Sequence, residues 1–389
     1  MSRGPASVVV ALIATLLLLL PRPAAAFPWM IQHGYTNCGS CHLDPSGAGI
    51  LTSYGRAQSE VLLRTRYAGE PADPGRFGEF GFGAITLPEQ LLLQADVRGA
   101  YIPVPNDPRY ILMQADLRVG LDIGPVVAYA SAGVVDEGAQ GAWFTSNEGG
   151  WNAVMRDAWV GVEPAKGVLV RAGRMNLPFG IRTEEHTLHT RAVTRTTTND
   201  DQQYGVSVAT TQRRWRGEIM GIAGNFQVAP DDYRERGYSL FAAWDPTRRF
   251  EIGVSSLVTH AALDVETLAP RTRHAHGLFA RGAPHEKVSV LGEADWLINR
   301  SEGDGSMGAV AAIEVDVEVV QGLHTRAIGS WCEPTFADDE AGIPTGWLAV
   351  QWFAAPRVDI RLDALHGSIS CLPGAERRFM GLGQVHFFL

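Results

Sequence analysis

The sequence predicts an all-β fold, a transmembrane β-barrel of about 16 antiparallel strands with a small helical segment at its N-terminus. Three observations predict it. Apolar and polar residues alternate along one segment after another, the pattern of strands with two unlike faces. No stretch after residue 26 supplies the 18 or so apolar residues of a spanning helix, so a chain that meets a membrane must close its backbone as a barrel. The connections between segments also alternate between long and short.

The first element is a leader. Arg3 supplies a charged start, Val8 to Leu20 is an apolar run, and Ala24-Ala25-Ala26 precedes Phe27. This reads as a secretory signal over 1–26 with cleavage before Phe27, which places the chain in an oxidising compartment. Arg3 and Arg22 would leave with the leader, taking the net charge from −9 to −11. A chain this acidic does not suit a polyanion, so no nucleic-acid partner is expected.

The strands follow. Leu91 to Tyr101 places Leu91, Leu93, Ala95, Val97 and Tyr101 on one face, with Gln94, Asp96 and Arg98 on the other. Ile111 to Ile123 repeats the pattern, with Gln114, Asp116, Arg118 and Asp122 on the polar face. An apolar face toward lipid and a charged face toward water marks a membrane barrel. Sixteen such segments are expected: 91–102, 109–123, 125–136, 153–163, 167–174, 203–211, 214–223 and 236–245, then 249–259, 273–282, 287–298, 306–318, 321–332, 344–355, 356–367 and 378–388. Loops after odd strands are mostly long and turns after even strands are short. Both chain ends then lie on the short-turn side, the periplasmic one.

Aromatic residues at strand ends suit interfacial girdles: Tyr101, Tyr110, Trp151, Trp159, Trp244, Trp331, Trp347, Trp352, Phe387 and Phe388. Cys332 and Cys371 both fall on the long-loop rim, so a disulfide between them is expected.

The head of the chain carries chemistry. Cys38-Gly39-Ser40-Cys41-His42 has the spacing that attaches a c-type haem. Two thiols on one side of a tight turn form thioethers, and His42 places its imidazole as axial ligand. A bare redox dithiol would need a βαβ surround, and a zinc site would need further ligands nearby; neither is present in the sequence. His33 and Met30 are the nearest candidates for the distal ligand, with Met175, His186 and His189 further along. A turn at Pro45, Gly47 and Gly49 leads into an amphipathic helix over Leu51 to Arg66. Tyr54 is a candidate haem or core contact, and Arg56 is either a propionate partner or part of a solvated helix face. No catalytic residue is singled out. The organisation is thus a signal over 1–26, a monohaem segment over 27–76 and a barrel over 77–389, with the monohaem segment as plug or periplasmic cap.

The head, FPWMIQHGYTNCGSCHLDPSGAGILTSYGR, resembles that of the outer-membrane fused cytochrome–porins of iron-oxidising bacteria and of related single-haem barrel proteins. The shared positions are Cys38, Cys41, His42, Pro45, Gly47, Gly49, Tyr54 and Gly55. Where the iron-oxidising branch continues aromatic-Gly-Arg-Phe-Lys, this chain reads Tyr54-Gly55-Arg56-Ala57-Gln58. Val170 to Thr187 is similar to the Gly-Arg…Pro-Phe-Gly stretch of porins whose loop folds into the lumen. The resemblance implies one covalent haem c in a cytochrome c-like segment and a location in the outer membrane of a Gram-negative bacterium. It also implies electron transfer between an extracellular donor or acceptor, Fe(II) included, and a periplasmic carrier such as a soluble cytochrome c. The partners are these redox proteins or ions and outer-membrane lipid, and an iron-oxidase activity is compatible. The alternatives are a diffusion porin with a structural haem plug and a haem enzyme such as a peroxidase. Acidic clusters at Glu184-Glu185, Asp200-Asp201, Asp231-Asp232 and Asp338-Asp339-Glu340 read as solvated loop tips or as sites that attract a cation.

Overall fold

The computed structural model describes residues 27–67, 84–103, 108–136, 151–185, 187–301, 303–337, 342–355, 357–372 and 374–388. The leader, residues 68–76 of the head, His186 and Asp338-Asp339-Glu340 lie outside these residues.

The strands form a closed antiparallel barrel of sixteen staves. They begin with β1 (Leu91–Ile102), β2 (Arg109–Ile123) and β3 (Val126–Asp136). Stave β4 is interrupted: Trp151–Val154 and Ala158–Ala165 both pair with β3, leaving residues 155–157 between them. Next are β5 (Val168–Met175), β6 (Gln203–Thr211), β7 (Trp215–Gly224), β8 (Arg236–Thr247), β9 (Phe250–Ala261) and β10 (Arg271–His285). The last are β11 (Val288–Ser301), β12 (Asp304–Val320), β13 (Leu323–Glu333), β14 (Ile343–Ala355), β15 (Val358–Gly367) and β16 (Arg378–Phe388). Each stave pairs with its sequence neighbours, and β1 pairs with β16 from Asp96↔Phe388 to Tyr101↔Gly383, which leaves no free edge.

All sixteen expected strands are present, with boundaries shifted by a few residues. The largest shift joins β11 to β12 through a tight connection where a loop over 299–305 was expected. The other odd-numbered strands lead into longer connections, the longest being residues 176–202.

The two faces of the wall differ as the alternation requires. Leu117, Val160, Ile219, Leu348 and Leu362 point outward and are exposed, whereas Asp96, Asp116, Glu218, Asp316, Arg326 and Arg361 are buried inside. Tyr101 and Tyr110 pair on the outer surface near the long-loop rim, with centroids 4.9 Å apart; Trp215 and Trp244 stack near the short-turn rim at 5.8 Å. The girdle expectation fails at three positions. Trp159 and Trp347 are buried on the inner side, where Trp159 lies under the Arg171 guanidinium and Trp347 packs with Leu188 and Leu365. Phe388 lines an internal cavity.

Two segments fill the lumen. The head, residues 27–67, enters from the short-turn rim, where Gln321 donates to the Val61 and Arg64 carbonyls and Trp352 Nε1 donates to Thr65 at 3.0 Å. The 176–202 connection folds inward from the opposite end, and its short helix α2 (His189–Ala192) sits against β11 to β13.

Candidate functional site

The head is built from short turns pinned to the wall. A 3-10 helix over Pro28–His33 buries Trp29, which stacks on Phe27 at 4.6 Å and meets His324 at 4.1 Å. A second 3-10 turn spans Cys38–Ser40. Asn37 caps it by accepting from the Gly39 amide at 3.0 Å, and the Cys41 and His42 amides both donate to the Cys38 carbonyl. The two-residue spacer therefore closes one turn, which brings Cys38, Cys41 and His42 to a common cavity. Helix α1 (Ser53–Leu62) follows, N-capped by Thr52, and is shorter than the expected Leu51–Arg66. Gly55 is fixed by contact: a Cβ there would lie 2.2 Å from the Cys41 carbonyl oxygen.

Asp44 seats the motif. Its carboxylate is fully buried, accepts from the Ser46 amide at 2.9 Å, and pairs with Arg171 of β5 at 3.1 Å. Arg171 also reaches Glu218 at 2.7 Å. Burial alone would raise the Asp44 carboxyl, but Arg171 and Arg182 outweigh it and hold it below the usual carboxylate range. Burial likewise holds the His42 imidazole below its ordinary pKa, against the Gly49 backbone and the Asp44 charge. A neutral imidazole is the form that binds a metal.

The cavity has a volume of about 230 Å³. Met30, Tyr35, Leu63 and Phe388 give it apolar wall; Arg98, Arg118, Arg156, Arg182 and Arg281 give it cations. Most of these guanidiniums are matched, Arg118 to Asp96 at 2.8 Å and Arg281 to Glu251 at 2.8 Å, with Arg156 on Asp116. Arg182 is less so. Its Nη2 donates to Ser46 and to the Leu177 carbonyl, while its buried Nε and Nη1 have no hydrogen-bond partner among the described residues.

The residues present fit a covalently held haem. Both thiols and the imidazole face one cavity, and Arg182 offers donors that are unmatched among the described residues and suited to a propionate.

Not every sequence candidate joins this cavity. Met30 does. His33 instead pairs with Glu318 at 3.4 Å and does not line it. Met175 is buried in the apolar cluster with Phe179, and His189 meets the Ser368 carbonyl at 3.1 Å. Tyr54 is exposed and hydrogen-bonded to Tyr35, and Arg56 donates to the Leu93 carbonyl of β1, so neither is a cavity residue. Cys332 and Cys371 are joined by a disulfide with Cα atoms 5.9 Å apart. Glu184-Glu185 is no loop tip: both carboxylates turn inward onto Arg326 and Arg361. Asp231, by contrast, is exposed and holds Arg234 and Arg236.

Sequence reasoning passed over Asp44, Arg171, Arg182 and His386. The first is three residues past Cys41, and both of those arginines fall in the Gly-Arg…Pro-Phe-Gly stretch, so proximity to the two motifs was the usable signal. His386, near the C-terminus, gave none; it lines the cavity between Asp96 and Asp359.

A second cavity of about 490 Å³ lies toward the long-loop rim. It shares Arg98, Glu184, Asn199 and His386 with the first, so the two adjoin.

No protein-family model matches the sequence, and no curated protein matches it. Solved structures do match. The trimer form of OmpT, an outer membrane protein of Vibrio cholerae, superposes with a TM-score of 0.59 at 9% identity, covering 77% of this chain and 99% of that one. The outer membrane channel DcaP of Acinetobacter baumannii gives 0.54 at 10%, covering 77% and 97%. An anion-selective porin from Comamonas acidovorans gives 0.52 at 13%, covering 77% and 99%. At these identities the likeness is one of fold. The barrel is of the outer-membrane porin type.

Proposed function

We propose that this protein resides in an outer membrane as a fused cytochrome–porin and transfers electrons across it through one covalent haem c. The electrons pass between an extracellular donor or acceptor, Fe(II) among the candidates, and a periplasmic carrier such as a soluble cytochrome c. One observation carries the reading: Cys38, Cys41 and His42 line a single cavity inside the lumen of a porin-type barrel. The exposed apolar band on the wall suits lipid.

A bound haem supplies one-electron chemistry at its iron. The chain supplies the rest. Cys38 and Cys41 hold the porphyrin edge through their sulfurs, and His42 presents a neutral ring nitrogen. Asp44, locked to Arg171, fixes the turn that carries them. Met30 is the candidate distal ligand from the head. Arg182 stands ready to bind carboxylates, and the wall and head exclude bulk water. On the short-turn side Tyr35 lines the cavity and bonds Tyr54, which is exposed and offers a contact for a periplasmic partner.

The test uses intact cells. An externally added donor should reduce the haem of the native protein and fail to do so in His42→Ala; equal reduction in both would refute the proposal.

A diffusion porin with a structural haem plug is the second reading, favoured by the adjoining cavities and by the porin neighbours. Solute uptake into liposomes that persists in Cys38→Ala would support it.

A further inference from the structure

The outer cavity is walled differently from the inner one. The strands give the inner cavity charged and amide side chains, among them Gln94, Asp96, Gln114, Arg118 and Arg281. Ala100, Ile102, Ile111, Trp347, Leu365 and Met380 line the outer one. A β-bulge produces part of this change. The β1–β2 register runs Arg98↔Gln114 and then Gly99↔Leu112, leaving Met113 without a partner. The extra residue reverses the parity of β2, so that Ile111, opposite Ala100, turns inward where the lower strand places Gln114 and Asp116.

The polar end of the same cavity is almost fully matched. Glu184 and Glu185 are held by Arg326 and Arg361. Asp363 accepts from Arg361 at 2.5 Å and from Gln384 at 3.1 Å, and Asp359 meets His386 at 3.1 Å and Gln351 at 3.4 Å. Arg98 lines both cavities, makes no direct hydrogen bond or ion pair among the described residues, and bears by its charge on Glu184 and His386.

We propose that the outer cavity is a binding site for a small organic anion with a flat apolar body, its carboxylate or sulfonate on Arg98 and its body against Trp347 and Leu365. The volume lies in the range of small-molecule sites, roughly 300–1,000 Å³. An apolar wall ending on a guanidinium whose donors have no direct partner among the described residues selects this class over bare inorganic ions, which gain nothing from the wall, and over organic cations, which Arg98 repels. Binding stands independently of the haem. Its consequence rests on the electron-transfer reading: a diffusible redox carrier of this class would reach the inner cavity past Arg98, Glu184, Asn199 and His386.

The experiment titrates 2-naphthalenesulfonate into the full-length barrel in lipid nanodiscs by calorimetry, with folding checked by heat-modifiable gel migration. Saturable binding is expected, weakened at least tenfold in Arg98→Gln and abolished in Ala100→Trp, which fills the cavity. Sulfate and 2-naphthylammonium should not compete. Unchanged affinity in both variants, equal binding of the ammonium, or no saturable binding to the folded protein would overturn the proposal. Cys38→Ala should bind the probe normally; loss there would move the site to the inner cavity and overturn it as well. The absorption spectrum of the same samples reports the haem separately, so missing c-type bands with intact probe binding would sink only the electron-transfer reading.

Discussion

The head and the inward-folded connection both occupy the lumen, and both are fastened to the wall by buried ion pairs. The connection spends its charges on the wall: Arg191 meets Glu293, and Glu184 and Glu185 meet Arg326 and Arg361. The head uses fewer, Asp44 with Arg171 and Glu60 with Arg357 at 3.2 Å, and relies otherwise on Trp29, Phe27 and backbone contacts. Where the two segments face each other, the head presents the His42 imidazole and the connection presents Arg182 Nε and Nη1, which have no hydrogen-bond partner among the described residues. The wall pairs make a scaffold; the facing sides make the site. A group that took His42 as a metal ligand and offered carboxylates to Arg182 would engage both.

The sharpest way to break this contrast is to remove what the head presents. Cys38→Ala should lose most or all covalently bound haem, read as loss of the peroxidase stain on a denaturing gel, while the barrel still folds. Arg191→Gln, on the connection side, should keep the stain in full.

Next in size is the seating of the head. Arg171→Gln leaves Asp44 and Glu218 buried without their cation, a loss of roughly 3–5 kcal/mol for breaking a buried pair. Limited proteolysis within residues 27–67 should rise steeply, with the barrel resistant. Equal resistance of head and barrel would mean that Asp44 is not the pin.

The disulfide acts on the outer rim alone. Its loss in Cys332→Ser/Cys371→Ser frees a closed loop of 39 residues and should lower stability by about 2–4 kcal/mol in thermal unfolding, with no change in the haem spectrum. Gly47→Ala is smaller and local. Gly47 has φ +89°, and an added Cβ would stand 2.9 Å from Cys38 Cβ, so a cost of about 1–2 kcal/mol is expected in the thermal release of the head.

The smallest effect is one of pH on the connection. Burial and the neighbouring Asp200 push the Asp201 carboxyl up to about 7. The folded state therefore binds this proton more tightly than the unfolded chain, whose carboxyl titrates near 3.8. That contribution is complete below about pH 4 and is lost as pH rises toward 7. Protease cleavage within 176–202 should increase over this interval, and Asp201→Asn should flatten the profile.

Much of the wall was legible in the sequence because alternation is a local property. Each strand states its own two faces, and sixteen of them with alternating connections imply closure. Trp159 and Trp347 were misplaced because an aromatic residue on a strand fits either face, and the side is decided by partners such as Arg171 that come from other strands. The gathering of Cys38, Cys41 and His42 was legible because the three make their geometry within one turn. The partners of His33 and Arg56 were not legible, for the opposite reason. Their partners, Glu318 and the Leu93 carbonyl, lie 285 and 37 residues away, and nothing local announces them. Asp44–Arg171 is a long-range pair of the same kind, separated by 127 residues.

The central claim is that the turn holding Cys38, Cys41 and His42 carries a haem inside the barrel. Full-length protein taken from the outer-membrane fraction, alkylated under denaturing conditions and digested, tests it directly by mass spectrometry of the peptide containing Cys38 and Cys41. The account predicts that this peptide carries one porphyrin and no alkyl group. Two alkylated thiols and no porphyrin would contradict it.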